Sequence, residues 1–473
     1  MNSPPQSSHS ATLAPVPPHA WRALAVGAAG WVIFGFNSTA VNLAFGPIGA
    51  SFPGASPALV SWVASGFFIA SAAVLPLGGR LADRLGRRRI FNIGLIGFVV
   101  SAVLSSLALS IWVLIGARVL QAVSGALVIP SSLSMVLPEF PPERRPSAVA
   151  TWAAAGPLSA AIAPSTAALL LDISNWRWVF FLTAPASLLV YAASLRFVGR
   201  SRAPDVSGKL DLVGTGMAIV AIGTLILAIS NAPTWGLGAR LGLTLLVSAA
   251  AAALFLRRSS RHPTPLVDLT LFRMPPVAVA NLANLLMSTT SLSIWLVWPL
   301  WLGSVWEYSA FEVGLAITVG PICAGSATMI GGRLADRYGQ RWLMVIGSAV
   351  ATGAVVYSIF SFTLEPNYVV GFMPTVMLFG AGWGLSNPSM NSWALGSVDQ
   401  AVYGEVNAAF NTLRNLGAAI GVATGLALIG SPDRVSTLAA YDRANIFFAT
   451  AIGLSCVTVT VGSWWISRRP HPA

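Results

Sequence analysis

Ionisable side chains are scarce in this 473-residue chain, and two arginines stand out because they interrupt long apolar runs. A charge inside such a run is costly in a membrane and usually faces a partner or a polar pathway. Arg118 is followed three residues later by Gln121, which places both side chains on one face of a helix. We expect this pair to line a polar pathway, where Arg118 binds Asn37 or Asn42, a backbone carbonyl, or an anionic group of a bound molecule. The alternative is an arginine that only holds helices together.

Groups that could carry a proton are almost missing from the apolar runs. All fifteen acids map to polar gaps or to the ends of the runs. The four histidines also lie in polar segments, at His9, His19, His262 and His471. Because a buried proton relay normally uses Asp, Glu or His, the best remaining carriers are Glu405 and Glu312, each beside the start of an apolar run. Their alternative role is solvation of a helix end.

Polar side chains also recur at helical spacing within two apolar runs. The first run carries six of them at intervals of three or four residues: Asn281, Asn284, Ser288, Ser291, Trp295 and Trp298. The second run carries Asn407, Asn411, Arg414 and Asn415. This spacing puts each set on one helix face, as expected for the wall of a polar cavity. Alternatively, these residues pack helices together and Arg414 extends to a membrane surface.

Membrane-spanning helices must position these groups. Charged residues make up 9% of the chain and apolar residues 55%, whereas soluble proteins carry about 25% charged residues. The apolar runs are about 20 residues long and do not alternate with polar positions, which favours helices over barrel strands. We therefore predict an all-α integral membrane protein with fourteen spans. They lie near residues 23–46, 57–78, 90–110, 112–136, 147–171, 178–197, 211–231, 239–257, 276–302, 311–331, 341–362, 367–387, 404–430 and 445–466.

The positions of the basic residues predict the topology. With a cytosolic N-terminus, 21 of the 27 lysines and arginines fall in cytosolic segments, four in outer loops and two within spans. This asymmetry is the positive-inside pattern, so we predict that both termini are cytosolic. The predicted organisation is a disordered cytosolic tail (1–20), a six-helix bundle (21–200), two extra helices with a linker (201–262), a second six-helix bundle (263–466) and a cytosolic tail (467–473).

An internal repeat links the two predicted bundles. Residues 78–88 read GGRLADRLGRR and residues 331–341 read GGRLADRYGQR, with nine of eleven positions identical. Two homologous halves with a site between them are a recurrent transporter design. We predict that both copies are gating loops in which Gly79 and Gly86 permit a tight turn and close helix approach, and the aspartate caps a helix or pairs with an arginine. The alternative is a plain topological anchor. The residues concerned are Gly79, Asp83, Arg84, Gly86, Arg87, Gly332, Asp336, Arg337 and Gly339.

The repeat resembles the signature loop of the major facilitator superfamily, G-x-L-A-D-R-x-G-R-[KR]. Other segments resemble the fourteen-span drug:proton antiporter branch of that superfamily. They are the segment from Val60 to Phe91 that contains the first repeat, RVLQAVSGA from Arg118 to Ala126, NWRWVFF from Asn175 to Phe181, GKLDLVG from Gly208 to Gly214 and NTLRNLGAAIGVA from Asn411 to Ala423. The resemblance implies two rocking six-helix bundles with two extra helices between them, and export of drugs, dyes, antibiotics or lipids in exchange for protons.

Two departures from the family pattern bear on the proton. Many relatives carry an aspartate in the first span, where the stretch FNSTAVN here has Asn37, whose amide does not titrate. The antiporter motif G-P-x-x-G-G of the fifth span reads APSTAA, from Ala163 to Ala168. We expect a secondary active exporter of lipophilic small molecules that uses proton antiport. The alternative is a facilitator, or a lipid or metabolite transporter, on the same fold without proton coupling.

The remaining expectations follow from what the spans contain. Without a buried carboxylate, the pathway favours neutral or anionic lipophilic substrates over dications. The chain lacks a G-x-x-x-x-G-K-[ST] loop for ATP, and no span holds a nucleophile with a base, which disfavours a pump driven by ATP and an enzyme. A sensor that has lost transport is a further alternative. We expect multidrug efflux and antibiotic resistance in a bacterial inner membrane, a monomer in contact with the lipid bilayer, no nucleic-acid partner, no metal, and no cofactor besides the proton gradient.

Overall fold

The computed structural model describes residues 16–141, 144, 148, 151–152, 155–199, 211–263, 265, 268–398, 402–430 and 437–468. Within these residues the chain forms fourteen long helices and no strand. They are α1 (Pro18–Ser51), α2 (Pro57–Leu85), α3 (Arg87–Ser106), α4 (Ile111–Val136), α5 (Ala155–Ile173), α6 (Trp176–Phe197), α7 (Leu212–Trp235), α8 (Ala239–Ser259), α9 (Pro275–Ser304), α10 (Ala310–Tyr338), α11 (Gln340–Ser361), α12 (Tyr368–Leu395), α13 (Tyr403–Ile429) and α14 (Thr437–Ser467).

Length and composition make these helices membrane spans. Thirteen of them are long and apolar enough to cross a bilayer, and the described part of α5 is apolar over Ile162–Ile173. Backbone N–H and C=O groups find no partners in lipid, so each span satisfies its own as a helix. The predicted all-α fold with fourteen membrane helices is confirmed.

Side chains at the helix starts cap several of these spans, because the first N–H groups of a helix have no partner within it. The cap residues Ser56, Ser110, Asn175, Asp211 and Ser309 accept hydrogen bonds from N–H groups in the first turns of α2, α4, α6, α7 and α10. The cap of α10 is reciprocal: Ser309 Oγ accepts from the N–H of Glu312, and the Glu312 carboxylate accepts from the N–H of Ser309. The acid that we predicted as a proton carrier therefore stabilises the start of a helix.

The helices form two bundles that repeat one packing pattern. In the first bundle α1 packs on α5, α2 on α4, and α3 on α4 and α6. In the second bundle the helices eight places later do the same: α9 packs on α13, α10 on α12, and α11 on α12 and α14. The internal repeat thus extends from eleven residues of sequence to a whole half of the fold.

The two halves meet mainly along two helix pairs, α2 with α13 and α5 with α10. Small residues make the second contact: a Cβ on Gly314 would lie 2.4 Å from the Ala168 Cβ, and Ser165 Oγ lies 2.9 Å from Thr318 Oγ1. These residues lie near the end of α5 and the start of α10. We call the opposite end of the molecule, which carries Arg22, Arg88, Arg257, Arg341 and Arg468, the basic end. The α5–α10 contact therefore joins the two halves at the end of the molecule opposite the basic end.

The two additional helices form a hairpin beside this interface. Helix α7 packs on α2 and α13, one helix from each half, and on α8. Helix α8 is the most exposed span, since only Ser248, Ala251 and Ser259 are buried in it. At the basic end, the carboxylate of Asp211 accepts a 2.7 Å hydrogen bond from Arg258 Nε, which ties the start of α7 to the end of α8.

The two repeat segments are helical, and the prediction that they are loops was wrong. Helix α2 continues to Leu85 and α10 to Tyr338, so that only Gly86 and Gly339 form turns. Both glycines have positive φ, 97° and 80°, a backbone conformation that residues with a Cβ rarely adopt. The apolar run ends at the glycine pair of each repeat, but the residues Leu81 and Ala82, and Leu334 and Ala335, are good helix formers and extend the helix beyond it.

Close helix approach also occurs at a different glycine from the one predicted. A Cβ added to Gly78 would lie 1.9 Å from the carbonyl oxygen of Ala126 in α4. At Gly79 it would meet only the Pro130 Cβ, at 3.7 Å. In the second half, a Cβ on Gly331 would lie 3.0 Å from Leu385 Cδ2, and one on Gly332 would have open space. The first glycine of each repeat therefore faces the neighbouring helix.

Candidate functional site

Arg118 lies at the centre of the first bundle and is fully buried. Its Nε donates to the carbonyl oxygen of Val63 in α2 (3.1 Å), and its Nη1 donates to Gln121 Oε1 (2.6 Å) and to Asn37 Oδ1 in α1. Asn37 Nδ2 in turn donates to Thr183 Oγ1 in α6 (3.4 Å). One arginine thus connects four of the six helices of this half.

Two aromatic rings complete the surroundings of the guanidinium. Its central carbon lies 4.3 Å from the ring centroid of Phe67 and 5.6 Å from that of Phe180, and both rings are buried. The negative faces of such rings attract a cation. We call Asn37, Arg118, Gln121, Phe67 and Phe180 the arginine cluster.

The arginine cluster contains no carboxylate. The ion pairs between described side chains join His19 to Glu139 and Arg258 to Asp211, and neither includes Arg118. Burying a charge without a counter-ion is expensive unless hydrogen bonds replace its hydration. Here amide oxygens, a backbone carbonyl and two rings do so, and the arrangement can hold a permanent positive charge inside the bundle.

The structure brings together part of the residue set predicted around Arg118. Asn37, Gln121 and a backbone carbonyl are in contact with it, whereas Asn42 is buried elsewhere on α1. Sequence reasoning missed Phe67 and Phe180, and it did not identify Val63 as the residue that supplies the predicted carbonyl. The only signal was indirect, because Phe67 and Phe180 lie in segments that resemble family motifs.

In the second bundle, five asparagines connect three helices. Asn284 Oδ1 in α9 accepts from Asn387 Nδ2 in α12 (2.9 Å), while Asn284 Nδ2 donates to the carbonyl of Phe410 in α13 (2.7 Å). One turn further along α12, Asn391 Nδ2 donates to Asn407 Oδ1 in α13 (3.2 Å), which also accepts from Asn411 Nδ2 (3.1 Å). We call Asn284, Asn387, Asn391, Asn407 and Asn411 the asparagine network.

The network differs in two ways from the predicted polar faces. Asn387 and Asn391 were missed, although their spacing of four residues puts them on one face of α12. Asn415 is buried on α13 and makes no hydrogen bond within the described part of the chain. Because Asn391 Oδ1 is buried and also lacks a partner there, the network retains an unused acceptor.

Most of the predicted face of α9 is used for packing within the bundle. Asn281 Nδ2 donates to the carbonyl of Val277 in the same helix, and Ser288 Oγ donates to Asn284 Oδ1. Ser291 is buried, and its hydroxyl has no partner among the described residues. Trp298 Nε1 donates to Asn445 Oδ1 in α14 (3.2 Å).

Trp295 differs from the rest of this face because its ring is only partly buried. The ring centroid lies 6.2 Å from that of Phe379 in α12. The same ring packs against Gly320 in α10, and a Cβ added to Gly320 would lie 2.4 Å from the nearest ring atom.

Arg414 lies near the middle of α13, one turn from Asn411, and its side chain is half-buried. Within the part of the chain that the structure describes, no acceptor or carboxylate pairs with it. A partly exposed guanidinium in the middle of a span is favourable only where it reaches a polar space. Arg414 is therefore the charged group best placed to meet a ligand.

The other predicted residues lie at helix ends. Glu405 is exposed in the first turn of α13, and Glu312 belongs to the cap of α10. Arg87 Nη1 donates to the carbonyl of Ser134 in α4 (2.7 Å), and the Arg337 guanidinium lies 5.3 Å from the ring centroid of Tyr338. The side chains of Asp83 and Asp336 are outside the described part of the structure, so their predicted role stays a prediction.

An apolar groove opens on the outside of the molecule between α2, α4 and α7. It has a volume of about 560 Å³, and its lining includes Trp62, Trp112 and Trp235 together with Asn231 and Thr224. Trp112 is 68% exposed, so the groove faces the surroundings of the bundle. Such a surface fits an apolar molecule that arrives from the membrane.

Two pseudo-equivalent helical bundles, a small-residue interface and polar groups inside apolar spans define a membrane transporter of the two-bundle type. The family model of the Major Facilitator Superfamily matches residues 25–422 and, in a second match, residues 277–473. The chain belongs to this superfamily.

Similar proteins agree with this assignment. The chain is 31% identical to the multidrug efflux pump LfrA of Mycolicibacterium smegmatis, over 86% of this chain and 80% of LfrA. It is 30% identical to the drug efflux pump JefA of Mycobacterium tuberculosis, over 77% of this chain and 72% of JefA. A crystal structure of a D-xylose-proton symporter superposes with a TM-score of 0.68 at 14% identity, over 93% of this chain and 97% of the symporter, which shows the shared fold. The predicted resemblance to multidrug exporters is confirmed.

Proposed function

We propose that this protein exports lipophilic, drug-like small molecules across a bacterial inner membrane, with both termini in the cytosol. The observation that carries the proposal is the likeness to a multidrug efflux pump over 86% of the chain. The groove beside Trp62 and Trp112 supports a lipophilic substrate that enters from the membrane.

The substrate is neutral or anionic. The charged groups that interrupt the middle of the described spans are Arg118 and Arg414, and the latter is half-buried without a partner among the described residues. The asparagine network beside it offers amide donors and acceptors, which suit carbonyl, hydroxyl and carboxylate groups. A dication in this place would face a positive charge and find no carboxylate.

Transport proceeds by alternating access between the two halves. The contacts at Ser165, Ala168, Gly314 and Thr318 hold the halves together away from the basic end. Small side chains interlock less deeply than large ones, so this contact can open while each bundle keeps its own packing. Substrate binds in the open form at the basic end and leaves when the opposite end opens.

Proton antiport is the first candidate for the driving force, because the family resemblance implies it. A second candidate, a facilitator without proton coupling, is favoured by three positions. Asn37 occupies the place of the family aspartate and binds Arg118, Glu312 is engaged in a helix cap, and Glu405 is exposed in a helix end. Neither candidate requires a cofactor.

Transport in proteoliposomes loaded with a pH-sensitive dye tests both the function and the coupling. The probes are chloramphenicol (neutral), 8-anilinonaphthalene-1-sulfonate (anionic) and dequalinium (dicationic), applied to the native chain, Asn37→Asp, Glu405→Gln and the exposed control Asp172→Asn. We expect movement of the neutral and anionic probes and exclusion of the dication. Absence of movement for all three probes would refute export of lipophilic molecules.

The dye separates the two driving forces. If protons accompany the substrate and Glu405→Gln abolishes their movement while Asp172→Asn does not, the protein is an antiporter with its carrier at the start of α13. If substrate moves without protons and Asn37→Asp gains coupling, the native chain is a facilitator.

A further inference from the structure

A second groove, with a volume of about 570 Å³, lies between the first turns of α3 and the last turns of α6. It is at the basic end and away from both the arginine cluster and the asparagine network. Its lining residues are Leu85, Gly86, Arg88, Arg89, Asn92, Ile93, Ile96, Tyr191 and Leu195. The groove thus contains four polar side chains, two of which are guanidinium groups, together with four aliphatic side chains and one glycine.

The groove continues into a lipid-facing apolar stripe. Ile93, Ile96, Val100 and Leu104 recur on one face of α3 and Leu107 follows its last turn, and each of the five is at least 40% exposed. At 1.5 Å per residue, the 18 steps from position 89 to position 107 span about 27 Å, close to the thickness of the hydrocarbon core. The stripe therefore crosses the membrane, and the groove lies where the headgroups are.

The polar part of the groove is positive. None of its nine lining residues is acidic. Arg88 Nη2 donates to the carbonyl of Leu195 in α6 (2.8 Å), which fixes this guanidinium in the groove while its other N–H groups point to no described acceptor. Arg89 is exposed and makes no hydrogen bond or ion pair within the described residues. Asn92 Oδ1 accepts from Ser194 Oγ (2.7 Å), which leaves its Nδ2 as a further donor.

The backbone adds to this positive potential. Helix α3 begins at the groove, its cap residue Gly86 offers no side chain, and its first turn contains no acid. The N-terminal end of a helix carries a partial positive charge that favours anions. This end and the two arginines are oriented toward the same space.

We propose that this groove binds one molecule of an anionic diacyl phospholipid. Its phosphate lies against Arg88, Arg89 and the start of α3, and its acyl chains lie along the stripe from Ile93 to Leu107. Basic pockets between membrane helices bind anionic headgroups in this way. A zwitterionic lipid fits less well, because no acid in the lining receives its ammonium group. A soluble anion leaves the apolar half of the site unused.

Native mass spectrometry of the delipidated full-length chain in detergent tests the proposal. The probes are phosphatidylglycerol and phosphatidylcholine with identical acyl chains, each also in the presence of excess inorganic phosphate. The variants are Arg89→Gln, Arg88→Gln/Arg89→Gln and the control Arg257→Gln/Arg261→Gln, which removes two exposed arginines from the same end of the molecule. Arg89→Gln breaks no contact of the fold, so it remains informative if the double variant is unstable.

We expect the native chain and the control to retain one phosphatidylglycerol at least fivefold more than phosphatidylcholine. We expect Arg89→Gln to reduce this preference severalfold and the double variant to abolish it, with no effect of phosphate. Equal retention of the two lipids, or an unchanged preference in Arg89→Gln and the double variant, would overturn the proposal. Displacement of the lipid by phosphate would do so too, since it would identify a site for a free anion.

Discussion

At the scale of single residues, the buried guanidinium of Arg118 is surrounded by groups with partial charges and not by a full negative charge. Its donors reach three different acceptors in α1, α2 and α4 at once. The planar fork of arginine serves several acceptors in fixed directions, whereas a lysine ammonium is a compact point charge. Geometry, as well as charge, therefore determines which residue this position accepts.

Arg118→Lys is expected to lower stability although it preserves the charge. A lysine cannot reach Val63, Asn37 and Gln121 together, and each lost hydrogen bond from a charged donor costs about 1.5–3 kcal/mol. Thermal unfolding of the detergent-solubilised chain should show a clearly lower Tm for Arg118→Lys. The exposed Arg240→Lys should unfold like the native chain. Equal unfolding of both variants would show that the fork geometry at Arg118 contributes nothing.

The sequence supports only part of this site. Asn37, Gln121 and a backbone carbonyl were foreseeable as partners, because a charge in an apolar run needs acceptors and few are present. The rings of Phe67 and Phe180 come from helices that touch α4 only in the folded bundle, so no local pattern identifies them. On α9, the spacing of polar residues is the same for a cavity wall and for a packed face, and it could not distinguish these two arrangements.

At the scale of elements, hydropathy predicted the number and order of the spans better than where each helix begins and ends. All fourteen spans are present, yet α12 continues eight residues beyond its predicted end and α14 begins eight residues before its predicted start. A hydropathy run reports contact with lipid, whereas a helix ends where its backbone changes conformation. At α2 and α10 that change comes at a glycine with positive φ.

The two adjacent glycines of the first repeat should respond differently to substitution. Gly78→Ala places a Cβ 1.9 Å from the Ala126 carbonyl oxygen and must push α2 away from α4, at a cost of about 1–3 kcal/mol. Gly79→Ala has room and gains up to about 1 kcal/mol of helix propensity. Unfolding temperatures of the two variants should therefore move in opposite directions. A similar decrease in the unfolding temperatures of both variants would mean that the close contact at Gly78 does not cause the loss of stability in Gly78→Ala.

The hairpin of α7 and α8 should become less stable in acid. Burial raises the pKa of Asp211, but hydrogen bonds from Arg258 and the Gly214 N–H and the nearby charges of Arg258 and His262 outweigh burial, so the pKa lies below its ordinary value. Because the pKa of Asp211 is lower in the folded chain than in the unfolded chain, where it is about 3.9, the charged carboxylate stabilises the fold at pH values above about 3.9. This stability is lost as the pH falls through the pKa of the folded state.

Comparison of Asp211→Asn with the native chain measures this contribution. The variant should unfold at a lower temperature at pH 7, and the difference should shrink as the pH falls below about 4. Asp268→Asn is the matched control, because Asp268 also caps a helical turn but forms no described ion pair. A difference between Asp211→Asn and the native chain that stays constant with pH would exclude the ion pair as its source.

At the scale of the whole molecule, the two halves meet mainly along two helix pairs, and small side chains make the α5–α10 contact. The α5–α10 pair places hydroxyl groups of opposite halves 2.9 Å apart, whereas aromatic rings pack against one another inside each half, as Phe34 does on Phe67 and Trp298 on Phe379. A contact of small side chains between two such bundles favours motion of one half against the other over deformation within a half.

A disulfide between Ser165→Cys and Thr318→Cys should therefore block transport. The two side-chain oxygens lie close enough for cysteines at these positions to form a disulfide. The disulfide would keep the molecule closed at the end opposite the basic end. The background should have Cys323 and Cys456 replaced by alanine, so that no other thiol reacts. Probe movement should stop on oxidation and return with a reductant, while either single-cysteine chain should be unaffected. Undiminished transport by the oxidised double variant would contradict opening at this contact.

Asn37 has a consequence for how such proteins diversify. Asparagine and aspartate have nearly the same shape, and their codons differ only in the first base. The oxygen that binds Arg118 would be present in either residue, so a single point mutation can add a negative charge to the centre of the first bundle without repacking it. Natural lineages can therefore gain or lose this charge by one nucleotide change, and orthologues that differ at position 37 are a ready comparison of the two electrostatic states.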